Sequence, residues 1–364
     1  VSLRVEVAGQ VAPAEWDRRV GLVPEGSFRQ TAIYGAFKAQ WREECLYFTA
    51  LDPGGEVVGQ LLAVLGSPWG WALERRPLAG LTLRLARWLA PRLYWLEGPL
   101  VFDGARFGEI AAALLARVVE VGRRRGCGRV EGFPSPYACP QEARGEQWRE
   151  VARPLGFAVA QKHTLMVDLT QDLGALWEGL RREAQTKVRK AGKDGIEVVP
   201  LGDSEERLRL AHGVICETAR RNQVAPLPLE RFRRSWAYHR DAGVGEAYLT
   251  LHQGAPLSFQ QVVAYNGNAL LGGVSYSDYS RQRRLYGNDL MQWHMIQRAK
   301  ERGWRWLDWG GAEPRAADPK MQAIFSFKAK WGGQLVPWDY YTFPAGRGIQ
   351  LGEDRSRDYR GEEH

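Results

Sequence analysis

The chain has 364 residues, 45% hydrophobic and 25% charged, a composition that supports packed cores in more than one domain and excludes a mainly disordered polymer. Fifty Lys and Arg against 42 Asp and Glu leave a net charge of +8, which favours polyanionic partners without selecting one. Cys45, Cys127, Cys139 and Cys216 stand far apart with no Cys-x-x-Cys and no histidine at metal-ligand spacing, so neither a disulfide framework nor a metal site is expected.

Val1 to Val7 alternates as a strand does and shows no basic-then-apolar leader pattern. No apolar run reaches the ~18 residues of a membrane span, and the expectation is a soluble, cytoplasmic protein. Pro24 to Gln30 reads as a turn into a helix through Tyr34, Phe37, Lys38 and Trp41. Cys45–Leu51 and Val57–Leu65 flank Asp52-Pro53-Gly54-Gly55, a hairpin signal. Leu81, Leu85, Trp88 and Leu89 fall at helical spacing beside Arg84 and Arg87, which fits a helix packed on the sheet or one lying on anionic lipid. Tyr94 to Pro99 reads as a strand, with Asp103 after it.

Ile110, Leu114, Val118 and Val121 predict an amphipathic helix over 109–125. Arg123, Gly126 and Gly128 match the Arg-x-x-Gly-x-Gly pattern with which acetyl-CoA-dependent acetyltransferases bind pyrophosphate. That use needs the glycines to open a helix, whereas these close one, so acetyl-CoA is not expected as a cofactor. The same helix, Arg-Gly and strand order returns at Leu290–Gly303 and Trp304–Trp309. Arg125 and Arg302, and Glu131 and Asp308, both differ by 177 positions, the signature of a duplicated domain.

His163 to Thr170 reads as a strand opening the second half. One helix follows, with Leu173, Leu176, Leu180, Ala184, Val188 and Ala191 on one face and Arg182, Arg189, Lys190 and Lys193 on others, closed by Gly195 before the strand 196–199. A further helix carries Glu217, Thr218 and Arg221, where Glu217 at i, i+4 is a ready ion-pair partner for Arg221. Strands 258–265 and 269–277 are joined by Asn266-Gly267, a type I′ turn signal. In Ile324–Gly333, Phe325, Phe327 and Trp331 surround Lys328 and Lys330 ahead of a Gly-Gly pair. Tyr340 to Phe343 reads as a strand.

Taken together, the Phe-x-Gln entry before a Phe37-Lys38 pair, Gly98-Pro99, the Asp168-Leu169 strand before a basic helix, Thr218-x-x-Arg221, Asp308-x-Gly310-Gly311 and Phe327-Lys328-x-x-Trp331-Gly332-Gly333 resemble the FemABX family of aminoacyl-tRNA-dependent peptidyltransferases. Gln185 departs from the pattern, since many members have Arg there. The resemblance implies an α/β chain of mixed sheets in two tandem GNAT-like domains, 1–160 and 161–338. A strand at 339–351 would return to the first domain, 352–364 would be a disordered tail, and there is no room for the long helical arm of some members. It also implies that Lys38, Arg221 and Tyr276 hold the acceptor and Arg182, Arg189, Lys190 and Lys193 meet tRNA, with Lys328 and Asp103 the candidates for catalysis. The implied partners are aminoacyl-tRNA and a nucleotide- or lipid-linked muropeptide, the chain acting as a monomer at or near the inner face of the membrane.

The residues themselves are compatible with that chemistry. No Gly-x-Ser-x-Gly is present and the six histidines are scattered, so a hydrolase is not indicated. An amine attacking an already activated ester needs positioning, proton removal and oxyanion stabilisation rather than a nucleophile or metal. Lys328 would neutralise charge, and Asp103 or a substrate phosphate would be the base. A CoA-dependent N-acyltransferase and a non-catalytic RNA-binding protein on a GNAT scaffold remain open at this point.

Overall fold

A computed structural model describes residues 3–66, 91–138 and 142–345. The helix expected around Leu81–Leu89, Cys139 and the tail expected at 352–364 lie outside the described residues. The chain divides into two compact units, the first running to Lys162 and taking in the segment that begins at Val336, the second spanning His163–Leu335.

The first unit contains β1 (Arg4–Ala8), α1 (Pro13–Val20), a 3₁₀ turn (Phe28–Gln30), α2 (Ala32–Gln40), β2 (Glu44–Leu51), β3 (Val57–Gly66), β4 (Arg92–Trp95), β5 (Leu100–Val101), α3 (Phe107–Arg124), β6 (Arg129–Gly132) and α4 (Glu142–Ala152). Neighbours from β1 to β4 are antiparallel, whereas β4 and β6 are parallel. A parallel pair needs a long crossover, and α3 supplies it. Its apolar stripe of Ile110, Leu114 and Val118 is fully buried against Phe48, Leu61, Leu93 and Val130. The helix stops because Gly126 takes φ +68°, with its N–H on the Arg123 carbonyl and that of Cys127 on the Gly122 carbonyl. β14 (Gln334–Pro344) lies antiparallel on β6.

The second unit repeats this order: β8 (Glu197–Pro200), α7 (Glu205–Arg221), α8 (Leu229–Asp241), β9 (Gly245–His252), β10 (Ala255–Tyr265), β11 (Asn268–Leu271), β12 (Ser275–Tyr276), α9 (Asp278–Gln282), α10 (Gly287–Glu301), β13 (Trp306–Gly311) and α11 (Pro319–Ala329). From β8 to β11 the strands are antiparallel, β11 and β13 are parallel, and β7 (Ala158–Asp168) lies antiparallel on β13. Gly303, 177 positions after Gly126, ends α10 at φ +69° with the same pair of backbone hydrogen bonds, Gly303 to Lys300 and Trp304 to Ala299. Both units are thus GNAT-like layers of helices on a mixed sheet.

Two expectations change. The strand expected over 269–277 is two, β11 and β12, which pair with separate stretches of β10. The single helix expected from Leu173 to Ala191 is two, α5 (Leu173–Glu178) and α6 (Arg182–Lys193). Between them the N–H of Arg181 leaves helical bonding for the carbonyl of Lys330, at 3.0 Å. The Phe325–Trp331 run forms the end and cap of α11. Asp318 caps that helix through the Lys320 N–H, Pro319 occupies its first turn, and Gly332 and Gly333 at φ +77° and +90° end it.

Candidate functional site

Thr218 and Arg221 lie one turn apart on α7, facing β12, and Tyr276 and Asp278 come to them from more than fifty residues away. The Arg221 guanidinium donates to Asp278 Oδ1 at 2.7 Å, to Thr218 Oγ1 at 3.0 Å and to the Tyr276 carbonyl, and stands 4.2 Å over the Tyr276 ring. Thr218 Oγ1 in turn receives the Tyr276 N–H at 3.0 Å. The partner offered by local spacing is not used: Glu217 accepts the N–H of Asp278 at 2.5 Å instead. Arg220 and Arg281 each approach Asp278 to 3.9 Å while 70% and 61% exposed. Three guanidiniums therefore surround one carboxylate beside a Tyr276 ring that is 36% exposed. With Glu217 beside it the cluster sets three guanidiniums against two carboxylates.

Lys328 sits in the last turn of α11 and donates from Nζ to the carbonyl of Gly311, the final residue of β13, at 2.5 Å. Pairing of β13 with β11 ends at Leu270–Asp308, and Asp308, fully buried, accepts from the Thr164 hydroxyl and the Gly310 N–H. Two residues beyond Lys328, Lys330 turns inward. Its ammonium meets Asp289 in the first turn of α10 at 2.5 Å, with the two side chains 9% and 11% exposed. It also lies 4.6 and 5.0 Å over the rings of Phe327 and Trp331.

In the first unit Lys38 pairs with Glu43 at 2.8 Å and stands over the rings of Tyr34 and Tyr94 at 5.7 and 5.8 Å. Burial, and then the Glu43 charge, push the Tyr94 hydroxyl up from its ordinary pKa and the Cys45 thiol up to about 12. Asp103 is elsewhere. It caps a 3₁₀ turn by accepting the Ala105 N–H at 3.0 Å. Its neighbour Phe102 bonds β3 at Val58, whereas Tyr94 lies opposite Val64. Lys38 and Asp103 are thereby set near opposite ends of β3, roughly 20 Å apart at ~3.3 Å per residue. Gln30, from the Phe-x-Gln entry, is a buried clamp: its amide donates to the Leu96 carbonyl at 2.7 Å and accepts the Leu62 N–H at 2.9 Å. A Cβ on Gly98, which precedes a cis proline, would come within 2.6 Å of it.

On α6 the side chains of Arg182, Arg189, Lys190 and Lys193 are exposed on the outer faces. Lys190 pairs with Asp194 at 2.6 Å and Arg189 stacks 5.1 Å over Trp177. Gln185, at the departure from the family pattern, donates to the Trp177 carbonyl at 2.9 Å. An open groove of about 400 Å³ is lined by Arg182, Glu183, Thr186, Lys187, Lys190 and Tyr286. Sequence reasoning missed Asp278, Lys187 and Tyr286, because their placement depends on tertiary contacts. Among the described residues there is no cluster of three or more His, Cys, Asp or Glu side chains able to hold a metal, and no helix long and apolar enough to cross a membrane.

Residues 179–318 match the family model for the acetyltransferase (GNAT) domain. No curated protein sequence matches the chain. Among solved structures, FemX is 16% identical with a TM-score of 0.71, the match covering 92% of this chain and 96% of that one. A tandem GNAT protein from the clavulanic acid biosynthesis pathway is 17% identical, with a TM-score of 0.56 and coverage of 94% and 99%. The C-terminal domain of a putative lysylphosphatidylglycerol synthetase from Agrobacterium fabrum is 13% identical, with a TM-score of 0.53 and coverage of 91% and 92%. With its two topologically equivalent units and these full-length matches, the chain has the tandem GNAT fold represented by FemX.

Proposed function

We propose that the chain is an aminoacyltransferase that moves an amino acid from aminoacyl-tRNA to an amine of a peptidoglycan precursor or a related acceptor. The observation that carries the reading is the convergence of Thr218, Arg221 and Tyr276, far apart in sequence, into one cationic cluster with an exposed ring. Of these, the family resemblance implies that Arg221 holds the acceptor's phosphates and that Tyr276 belongs to the acceptor pocket. In the reaction the acceptor amine attacks the ester carbonyl, the ester oxygen of the tRNA leaves, and the amine's proton passes to a base. Lys328, fixed by the Gly311 carbonyl at the end of β13, supplies positive charge where negative charge develops. A substrate phosphate is the candidate base, since Asp103 is held as the cap of a 3₁₀ turn far along β3 from Lys38, the candidate phosphate contact in the first unit. The outer cations of α6 meet the tRNA.

Incubation with charged total tRNA and a nucleotide-linked muropeptide should give a muropeptide heavier by one or more aminoacyl residues in the mass spectrum. An unchanged muropeptide mass with every aminoacyl-tRNA offered refutes the reading. The match of residues 179–318 to a GNAT acetyltransferase model favours a second reading, CoA-dependent N-acylation. Against it, Gly126 closes α3 rather than opening a helix. Micromolar binding of acetyl-CoA that is lost on changing Gly126 or Gly128 would reverse the preference.

A further inference from the structure

The groove between α6 and the start of α10 differs from the rest of the basic helix in being concave and in holding an aromatic ring. It is open to solvent, with a volume of about 400 Å³. Four of its six lining side chains ionise, three of them cations. The ammoniums of Lys187 and Lys190 stand 5.6 and 5.5 Å from the centre of the Tyr286 ring. Glu183 and Asp194 pair with these lysines, yet α6 with the residue before it carries Arg181, Arg182, Lys187, Arg189, Lys190 and Lys193 against those two acids, an excess of four positive charges. We infer that this groove is a subsite for an unpaired nucleotide of single-stranded RNA, with Tyr286 the stacking platform and Arg182, Lys187 and Lys190 its phosphate contacts. The inference rests on the aminoacyl-tRNA reading and narrows it: the groove takes a base from the unpaired 3′ end, not the acceptor duplex.

The chemistry selects this ligand. A base has a free π-face only where it is unpaired and unstacked, and base–aromatic stacking is tolerant of sequence. A duplex presents phosphates but no face to Tyr286. A lipid surface would call for protruding apolar side chains, whereas here a half-buried ring is set among ionised groups. On entry the base displaces an ammonium from the ring, and the lysine moves to the adjoining phosphate.

Fluorescence anisotropy with the labelled single-stranded RNA ACCA, with a blunt RNA duplex, and with phosphatidylglycerol vesicles tests the idea. The single strand should bind more tightly than the duplex, with log K falling against log salt at a slope of about −2, as three phosphate contacts at ~−0.7 each require. Tyr286→Ala should weaken it by about 5–150-fold and Tyr286→Phe should not. Lys187→Met and Lys190→Met should each flatten the slope by about 0.7, which keeps the test sharp if Tyr286→Ala folds poorly. Equal binding of duplex and single strand, indifference to Tyr286→Ala in a folded variant, or Tyr286-dependent binding to vesicles but not RNA would each overturn the assignment. Loss of transfer with ACCA binding intact would refute the aminoacyltransferase reading alone. Transfer by Tyr286→Ala at an unchanged KM for aminoacyl-tRNA would refute the groove alone.

Discussion

Lys330→Met tests how α11 is held. Its ammonium and the Asp289 carboxylate are 2.5 Å apart, with side chains only 9% and 11% exposed, so removing one leaves a charge that water reaches poorly. Breaking such a pair costs about 3–5 kcal/mol, whereas replacing both partners by apolar groups is often neutral. Lys330→Met and Asp289→Leu should therefore each lose about 3–5 kcal/mol, and the double variant should recover most of that. At ~2–4 °C per kcal/mol for a unit of this size, each single change lowers the melting temperature of the second unit by about 6–20 °C. Differential scanning calorimetry of the parent and the three variants reads the transition. Additive losses in the double variant, or a loss below about 1 kcal/mol in Lys330→Met, would show that the pair is solvated and the reasoning wrong.

Lys328→Met should cut aminoacyl transfer by about 10²–10³-fold, while Lys320→Met, exposed on the same helix, stays near the parent; equal turnover of Lys328→Met and parent would return Lys328 to a helix-end contact. Burial holds the His294 imidazole below its usual pKa, so the folded state resists protonation that the unfolded chain accepts near pH ~6.5. Stability should accordingly fall as pH drops below that value, and His294→Gln should flatten the fall in urea denaturation between pH 7 and 5. With its thiol pushed up to about 12, Cys45 should resist iodoacetamide at pH 8 in the folded protein and react once urea unfolds it.

What the sequence made legible was local. The apolar spacing of α3 and the left-handed glycines 126 and 303 are fixed within a dozen residues of chain, and the parallel pairs β4–β6 and β11–β13 follow once a helix must connect them. The break between α5 and α6 was hidden, because Leu176, Leu180, Ala184 and Val188 keep helical spacing across it while the interruption is made by the distant Lys330 carbonyl. In α11 the alternation Phe325, Phe327 imitates a strand, and no residue of the helix is fully buried to impose a stripe. The buried partner of Lys330 was hidden as well, since spacing alone does not say which of two lysines finds a carboxylate forty-one residues away. Glu217 was the local choice for Arg221, and a tertiary contact, Asp278, supplied the better geometry.

The partner of Arg221 also decides what a change there would do. Its fork is spent on Asp278, Thr218 and the Tyr276 carbonyl, and its side chain is only 17% exposed, so it works first as the staple between α7 and β12. Arg220 and Arg281, 3.9 Å from Asp278 and mostly exposed, can turn to an incoming phosphate without breaking that staple. A phosphate on a nucleotide-linked acceptor, carrying more charge than one carboxylate, would draw them outward. Arg221→Met should thus lower stability by about 1.5–3 kcal/mol, the worth of hydrogen bonds to a charged group, and impair acceptor binding only as a consequence. Arg220→Met with Arg281→Met should leave stability within about 0.5 kcal/mol and raise the acceptor KM with turnover preserved at saturation. Urea denaturation and acceptor titration of the three variants separate the two roles. If Arg221→Met raises the KM at unchanged stability while the exposed pair is silent, Arg221 itself grips the phosphate and Asp278 yields to it.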